Sequence, residues 1–135
     1  MRMMNKVVVG FIFKENKLLL IKHKKKNMWL PVGGHVEPGE TLLEALKREI
    51  KEEVSLIIKC REKPFFVLRE KGETTNHYTC KYLSGKIKIM KEEIKDFKWL
   101  TKKEVNNSKL CREIKRLAIK AFEENMEFDD EGMVK

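Results

Sequence analysis

The stretch "GHVEPGETLLEALKREIKEEVSL", residues 34–56, predicts the helix around which the rest of this chain is arranged. Thr41 and Glu44 have the spacing of a capping box, which predicts a helix from about Leu42 to about Val54. Its apolar residues recur at helical spacing and form one stripe: Leu42, Leu43, Leu46, Ile50 and Val54. We therefore expect the helix to pack this stripe against a core.

Three carboxylates lie along one edge of that stripe. Glu49, Glu52 and Glu53 stand at positions i, i+3 and i+4, where like charges repel by roughly 0.2–0.5 kcal/mol per pair. In a chain whose formal net charge is +9, this acidic cluster needs a physical cause. Carboxylate oxygens beside a glycine-rich loop (residues 25–40) suit a hard divalent cation such as Mg²⁺, which would offset the repulsion. The loop glycines would let a backbone carbonyl approach as a further ligand.

Residues 34–56 resemble the Nudix box, G-x5-E-x7-R-E-U-x-E-E-x-G-U, in which U is a bulky aliphatic residue. Eight of the nine defined positions match: Gly34, Glu40, Arg48, Glu49, Ile50, Glu52, Glu53 and Leu56. Ser55 replaces the second glycine, at a predicted cost of about 1 kcal/mol if the helix ends in a left-handed conformation. Val32 separates Pro31 from the glycine pair, where many family members have Pro-Gly-Gly. The resemblance implies a MutT-like Nudix hydrolase whose fold is an α/β/α sandwich, with a mixed β-sheet between helices.

The resemblance also implies roles for the matched positions. Glu49, Glu52 and Glu53 would bind Mg²⁺ or Mn²⁺, and the carbonyl of Gly33 would be a further ligand. Catalysis is assigned to Glu49, Glu52 and Arg48: one of the glutamates would activate or position water, and Arg48 would pair with a carboxylate and hold the site in shape. Two positions have supporting roles, Gly34 and Glu40.

A further metal ligand is expected outside the box. Family members often take another carboxylate from the loop before a late tryptophan, which here is "KEEIKDFKW", residues 91–99. The resemblance therefore implies Glu93 as a ligand, with Glu92 as the next candidate. A solvated acidic loop is the alternative explanation for the same letters.

Four residues are candidates for substrate binding: Lys22, Trp29, His77 and Tyr78. Aromatic rings stack on nucleobases, and a lysine attracts polyphosphate. The alternatives are core packing for the two aromatic residues and solvent exposure for Lys22 and His77. Two other histidines, His23 and His35, are predicted to be surface residues, because the expected site is built from oxygen donors.

Composition narrows the class of protein. A length of 135 residues predicts one domain, residues 1–135, and 38% charged with 41% apolar residues favours a soluble globular chain. No apolar run approaches the ~20 residues of a membrane span, and "MRMMNK" does not resemble a signal peptide, so we expect a cytoplasmic protein with no membrane partner. A nucleic-acid partner is permitted by the basic charge, but the lysines are spread along the chain. Cys60, Cys80 and Cys111 are predicted to be reduced packing residues.

The remaining elements are read from apolar runs and turn signals. Strands are predicted over residues 6–14 and 17–24, joined by a hairpin turn, and over residues 56–70, 77–85 and 97–101. Thr101 and Glu104 form a second capping box, and Ser108 is a candidate cap for a last helix. The acidic end, residues 127–135, is predicted to be frayed. The order of elements indicates one mixed α/β domain.

The resemblance implies hydrolysis of a pyrophosphate bond in a nucleoside diphosphate derivative. The family's markers for ADP-ribose, dinucleoside polyphosphate and NADH subgroups are not found after the box. The favoured substrate is therefore a free or damaged (d)NTP, which would give NMP and pyrophosphate. Two alternatives remain, an RNA 5′-end pyrophosphohydrolase and a non-catalytic module that senses a nucleotide. The sequence makes no prediction of oligomeric state.

Overall fold

The computed structural model describes the backbone of residues 5–133 and the side chains of residues 5–126. The strands are β1 (Asn5–Lys14), β2 (Lys17–His23), β3 (Trp29–Leu30), β4 (Val32–His35), β5 (Ile57–Cys60), β6 (Phe66–Glu70), β7 (Glu73–Ser84) and β8 (Ile94–Leu100). The helices are α1 (Leu42–Val54), α2 (Lys102–Asn106) and α3 (Arg112–Met133). None of the described helices is both long and apolar enough to cross a bilayer.

Strands β1 and β2 begin as a hairpin and then diverge. Glu15 and Asn16 both have positive φ, as a tight two-residue turn requires, and the strands pair beside that turn at Phe13 and Leu18. Farther along, β1 pairs instead with β4, and β2 pairs with β3. The short segment 29–35 therefore crosses from one diverging strand to the other. A cleft opens where the two strands separate.

The sheet is mixed and lies between helices. β1 pairs in parallel with β7, from Asn5 opposite Glu73 to Phe13 opposite Lys81, whereas β5 and β6 both pair antiparallel with β7. One face of the sheet packs on α1 through residues such as Val8, Ile12, Leu46 and Ile50. The other face packs on α3 through residues such as Phe11, Phe13, Ala118 and Phe122. The predicted α/β/α sandwich with a mixed sheet is confirmed.

Several predicted elements differ from those observed. Loop 25–40 was expected to be irregular but contains β3 and β4, because the diverging β1 and β2 each offer a free edge for pairing. The run 56–70 forms two strands separated by a bend, and β7 begins at Glu73, earlier than predicted. Ser108 does not cap α3, since its hydroxyl donates back to the carbonyl of Val105 at 2.7 Å and α3 begins later, at Arg112. The backbone of residues 127–133 continues α3, where fraying was predicted; residues 134 and 135 lie outside the described chain.

The residue that replaces the box's second glycine ends α1 in a left-handed conformation. Ser55 has φ 64° and ψ 31°, its N–H donates to the carbonyl of Lys51 at 3.0 Å, and its hydroxyl donates to the carbonyl of Lys88 at 3.4 Å. A residue with a Cβ is strained in this region, whereas glycine is not. The long hydroxyl contact offsets little of that strain.

We expect Ser55→Gly to raise the free energy of unfolding by about 0.5–1 kcal/mol, because the left-handed cap loses its Cβ strain. Thermal denaturation should show a midpoint about 2–4 °C higher. Ser55→Ala is the matched control, since it removes the hydroxyl but keeps the Cβ, and it should give no gain. A lower melting temperature for Ser55→Gly would show that the bond to Lys88 outweighs the strain.

Candidate functional site

The capping box fixes the rotation of α1 and therefore the direction of its carboxylates. The Thr41 N–H donates to Glu44 Oε1 at 2.8 Å, and the Glu44 N–H donates to Thr41 Oγ1 at 3.1 Å. Both bonds start the helix at Leu42, as predicted, and the buried stripe then faces β1. With the apolar face fixed, Glu49, Glu52 and Glu53 can only lie at its edge.

Arg48 binds several of the acidic side chains at once. Its Nε and Nη2 donate to the two oxygens of Glu40 at 2.6 and 3.0 Å, and its Nη1 donates to Glu49 at 2.9 Å and to Glu52 at 3.0 Å. Nη2 also donates to the carbonyl of His35 at 3.1 Å. The hydrogen bonds that Arg48 donates to Glu40 first, and then to Glu52, raise the pKa of Arg48, and the same pairing with Arg48 lowers the pKa of Glu40. The guanidinium therefore holds both ends of the box together.

Of the three glutamates along the edge of α1, Glu53 is the one that forms no hydrogen bond with Arg48. Its side chain is buried at 4% exposure, and its Oε2 has no hydrogen-bond partner among the described residues. Burial, followed by the hydrogen bond and charge of Glu49 and the charges of Glu93 and Glu52, raises the pKa of Glu53 to about 9. A buried oxygen without a partner, beside other carboxylates, is the environment in which a divalent cation compensates best.

Backbone hydrogen bonds position Glu93 near Glu53. The segment after β7 attaches to the end of α1, because the Lys88 N–H donates to the carbonyl of Val54 and the Met90 N–H donates to the carbonyl of Glu53 at 2.9 Å. The Glu93 N–H then bonds the carbonyl of Met90 at 3.0 Å. Glu93 is thus placed in the cavity that Glu49 and Glu53 also line. Glu92 and Glu93 are both exposed, but Glu92 does not line that cavity.

The glycine pair of β4 lies against this acidic cluster. A Cβ on Gly34 would overlap the carboxylate of Glu49, and a Cβ on Gly33 would overlap the backbone carbonyl oxygen of Val8. Gly33 therefore requires glycine for its close approach to the neighbouring strand, whereas a side chain at Gly34 would displace the Glu49 carboxylate. The glutamates were predicted to lie beside the glycine-rich loop, and Gly34 is indeed in contact with Glu49.

The donor set fits a hard cation, although the side chains are not arranged as a finished ligand shell. Among the described residues, no three His, Cys, Asp or Glu side chains already converge on one point as a metal site. Arg48 draws one oxygen each from Glu49 and Glu52 toward itself. The unpartnered Oε2 of Glu53 and the second oxygens of the other carboxylates remain to receive an ion.

The acidic cluster borders a cavity of about 540 Å³ in the cleft between the diverging strands. The lining also contains apolar residues, namely Val9, Phe11, Ile21, Leu30, Ile114 and Leu117. A cavity of this size, with both apolar and charged lining residues, suits a small ligand that carries both an aromatic group and phosphates. Ile114 and Leu117 of α3 were not among the candidate binding residues, because the sequence predicted only that a last helix follows Ser108 and not that it borders a cavity.

The four candidate substrate-binding residues are placed differently. His77 lines the cavity at 5% exposure, its Nδ1 lies 3.1 Å from the carbonyl oxygen of Phe66, and burial lowers its pKa. Tyr78 follows His77 in β7 and so faces the opposite side, where it is buried at 2% exposure in the core beneath α1. The core-packing alternative therefore holds for Tyr78.

Lys22 and Trp29 do not line this cavity. They face each other across β2 and β3, and the Nζ atoms of Lys22 and Lys98 lie 5.8 and 4.1 Å from the centroid of the Trp29 ring. Two cations on one ring form a surface cluster beside the cleft. His23 and His35, which were predicted to be surface residues, both border the cavity.

A comparison with protein families matches residues 3–122 to the model described as the NUDIX domain. The ADP-ribose pyrophosphatase of Methanocaldococcus jannaschii is 53% identical over 57 residues, which are 40% of this chain and 34% of that protein. The 8-oxo-dGTP diphosphatase of Buchnera aphidicola (subsp. Schizaphis graminum) is 43% identical over 56 residues, 38% of this chain and 43% of that protein. The matched segment thus spans less than half the length of either relative.

Among solved structures, a NUDIX-family hydrolase from Clostridium perfringens superposes with a TM-score of 0.80. It is 25% identical and covers 91% of this chain and 98% of its own. The likeness therefore extends over the sheet and both flanking helical layers, well beyond the box.

Proposed function

The chain belongs to the NUDIX domain family, and from that premise we propose that it hydrolyses a pyrophosphate bond in a nucleoside diphosphate derivative with Mg²⁺ or Mn²⁺. One observation carries the proposal: Glu49, Glu53 and Glu93 line the same cavity as the glycine pair, together with several apolar side chains. Phosphates would lie beside the glutamates, and a nucleobase against apolar lining residues. A purely structural role would leave the buried, unpartnered carboxylate of Glu53 without a cause.

Some residues would coordinate the cation, and others would hold the coordinating side chains in position. We assign the cation to Glu49, Glu52, Glu53, Glu93 and the carbonyl of Gly33. When bound, a divalent cation neutralises phosphate charge and makes water a better nucleophile. Glu49 or Glu52 would accept the proton of the attacking water. Arg48 and Glu40 would fix the orientation of both glutamates, as their mutual hydrogen bonds suggest.

The favoured substrate is a free or damaged (d)NTP, cleaved to NMP and pyrophosphate. The name of the Buchnera relative supports a damaged nucleotide, and that of the M. jannaschii relative supports ADP-ribose as a second candidate. Both ligands have an aromatic base and a diphosphate, which the cavity would accept. His77, the one predicted substrate-binding residue that lines the cavity, would contact the base. The cytoplasmic location and the single domain over residues 1–135 stay predictions.

The test is product release from a nucleotide panel with Mg²⁺, with Mn²⁺ and with EDTA. The panel contains canonical and oxidised dNTPs, ADP-ribose, diadenosine polyphosphates and RNA with a 5′-triphosphate. We expect EDTA-sensitive turnover of one class, with pyrophosphate as the product if the substrate is a dNTP. The Glu53→Gln variant, prepared in parallel, controls for a contaminating phosphatase. Folded protein that binds a nucleotide but turns over none of the panel would favour the sensing alternative.

Glu93 can be tested separately from the box. We expect Glu93→Gln to raise the Mg²⁺ concentration needed for half-maximal turnover about fivefold, because carboxylate charge tunes the affinity for a hard cation. Glu92→Gln removes the same charge from the exposed neighbour and should leave the Mg²⁺ requirement unchanged. Equal responses from the two variants would assign the effect to general charge and would remove Glu93 from the ligand set.

A further inference from the structure

Two of the three cysteines are direct neighbours across the sheet. Cys60 in β5 lies opposite Cys80 in β7, and their sulfur atoms are 3.0 Å apart. Both are free thiols. The sequence separates them too widely for a recognisable motif, and only the antiparallel pairing of β5 with β7 brings them together.

The backbone geometry of this pair suits a disulfide. Directly opposed residues in an antiparallel pair have Cα atoms about 4.5–5.5 Å apart. Disulfides bridge Cα atoms about 4.4–6.8 Å apart, with an S–S bond of about 2.05 Å. The sulfur atoms therefore need to approach by only about 1 Å, which side-chain rotation can supply. No strand has to move.

The two thiols differ in access. Cys80 is fully buried, and a Cβ placed on Gly10 would lie 3.5 Å from its sulfur and 3.0 Å from Ile50 Cδ1. Cys80 thus belongs to the packing layer between β1 and α1, and burial raises the pKa of its thiol. Cys60 is only half-buried, so a small oxidant can reach it. Attack by an oxidant should begin at Cys60.

We propose that Cys60 and Cys80 form a redox site at which a hydroperoxide converts two thiols into an intramolecular disulfide. The hydroperoxide first transfers one oxygen atom to the sulfur of Cys60, giving a sulfenic acid and an alcohol, or water when the oxidant is hydrogen peroxide. The sulfur of Cys80 then attacks the sulfur of Cys60, the S–S bond forms, and the sulfenic oxygen leaves as water with the Cys80 proton. The two thiols are oxidised by two electrons in total, and the peroxide is reduced. A dithiol restores both cysteines by exchange.

The link would join β5 to β7 and close the loop formed by residues 60–80, which contains all of β6. Closing a loop of this length restricts the unfolded chain more than the folded one. Oxidation should therefore stabilise the fold without changing the sheet. The proposal is independent of the hydrolase activity, because neither sulfur lines the cavity among its described residues.

The test treats the full reduced chain with hydrogen peroxide, removes the excess with catalase and counts thiols after denaturation. We expect three thiols to fall to one, with an intact mass lower by two hydrogen atoms and a single cross-linked peptide that contains Cys60 and Cys80. Cys111→Ser is the matched control, in which two thiols should fall to none. The oxidised chain should melt about 5–10 °C above the reduced chain, and dithiothreitol should reverse every change.

Cys60→Ser separates the proposal from general oxidation, and a substitution at this half-buried position is expected to fold. This variant should keep its two thiols and show no thermal shift. Disulfide-linked dimers, oxygen adducts on Cys60 in place of a cross-link, or an unchanged thiol count in the Cys111→Ser chain would each overturn the proposal.

Discussion

Glu53→Gln is expected to lower turnover at least about a hundredfold, because it removes the carboxylate oxygen that, alone among the described carboxylates, is buried without a partner and is left to bind a cation. The fold should survive, since glutamine has the same shape and the raised pKa of Glu53 leaves it largely protonated near pH 7 when no cation is bound, so that little charge is lost from a site at 4% exposure. The melting temperature in EDTA should equal or exceed that of the unmodified chain. Initial rates at saturating substrate and Mg²⁺ give the first quantity, and thermal denaturation gives the second.

Two variants accompany it. Glu52→Gln should lower turnover by a similar factor, since Glu52 is also assigned to the cation. Like Glu49, it accepts a hydrogen bond from Arg48. Glu92→Gln, at an exposed position beside Glu93, should keep full turnover. Near-normal rates in both Glu52→Gln and Glu53→Gln would show that the cation, or the chemistry, lies elsewhere.

Alanine at the two adjacent glycines should have different effects, a loss of stability at Gly33 and a loss of turnover at Gly34. Gly33→Ala places a Cβ against the backbone carbonyl of Val8, which cannot move without disturbing β1, so the free energy of unfolding should fall by at least about 2 kcal/mol. Gly34→Ala meets only the end of a flexible side chain, Glu49. That carboxylate can turn aside at little cost in stability, but its displacement should lower turnover about tenfold to a hundredfold.

The two variants control for each other, since they add the same atom at neighbouring positions. Melting temperatures and rates measured side by side will separate the effect on the strand from the effect on the site. An equal loss of stability in both would mean that Glu49 is fixed by its bond to Arg48. Full turnover in Gly34→Ala would show that the position of Glu49 is unimportant for the reaction.

Helix α1 was predictable to the residue, because its signals are local. The capping box at Thr41 and the change of pattern at Ser55 fix both ends, and the apolar stripe fixes the buried face. Strands β3 and β4 were missed because they depend on edges offered by β1 and β2, which no local pattern in the segment 29–35 reveals. A glycine-rich stretch is a strand here only because of its neighbours.

The candidate site divides in the same way. The box residues could be placed from spacing, whereas the position of Glu93 depends on a backbone bond between Met90 and Glu53 that the sequence does not announce. His77 and Tyr78 illustrate the limit for a strand. Alternation shows that they face opposite sides of β7, but only the packing of α1 decides which side is the core.

The hydrogen bonds of Arg48 have a consequence for folding in the absence of a metal ion. The guanidinium serves as an internal counter-ion shared by Glu40, Glu49 and Glu52, so part of their acidic charge is balanced by the chain itself. Folding need not wait for an ion, in contrast to small domains that are unfolded until they are loaded with zinc. On the proposed function, the cation would then bind and leave together with the phosphates of each substrate molecule and would not be a permanent part of the folded protein.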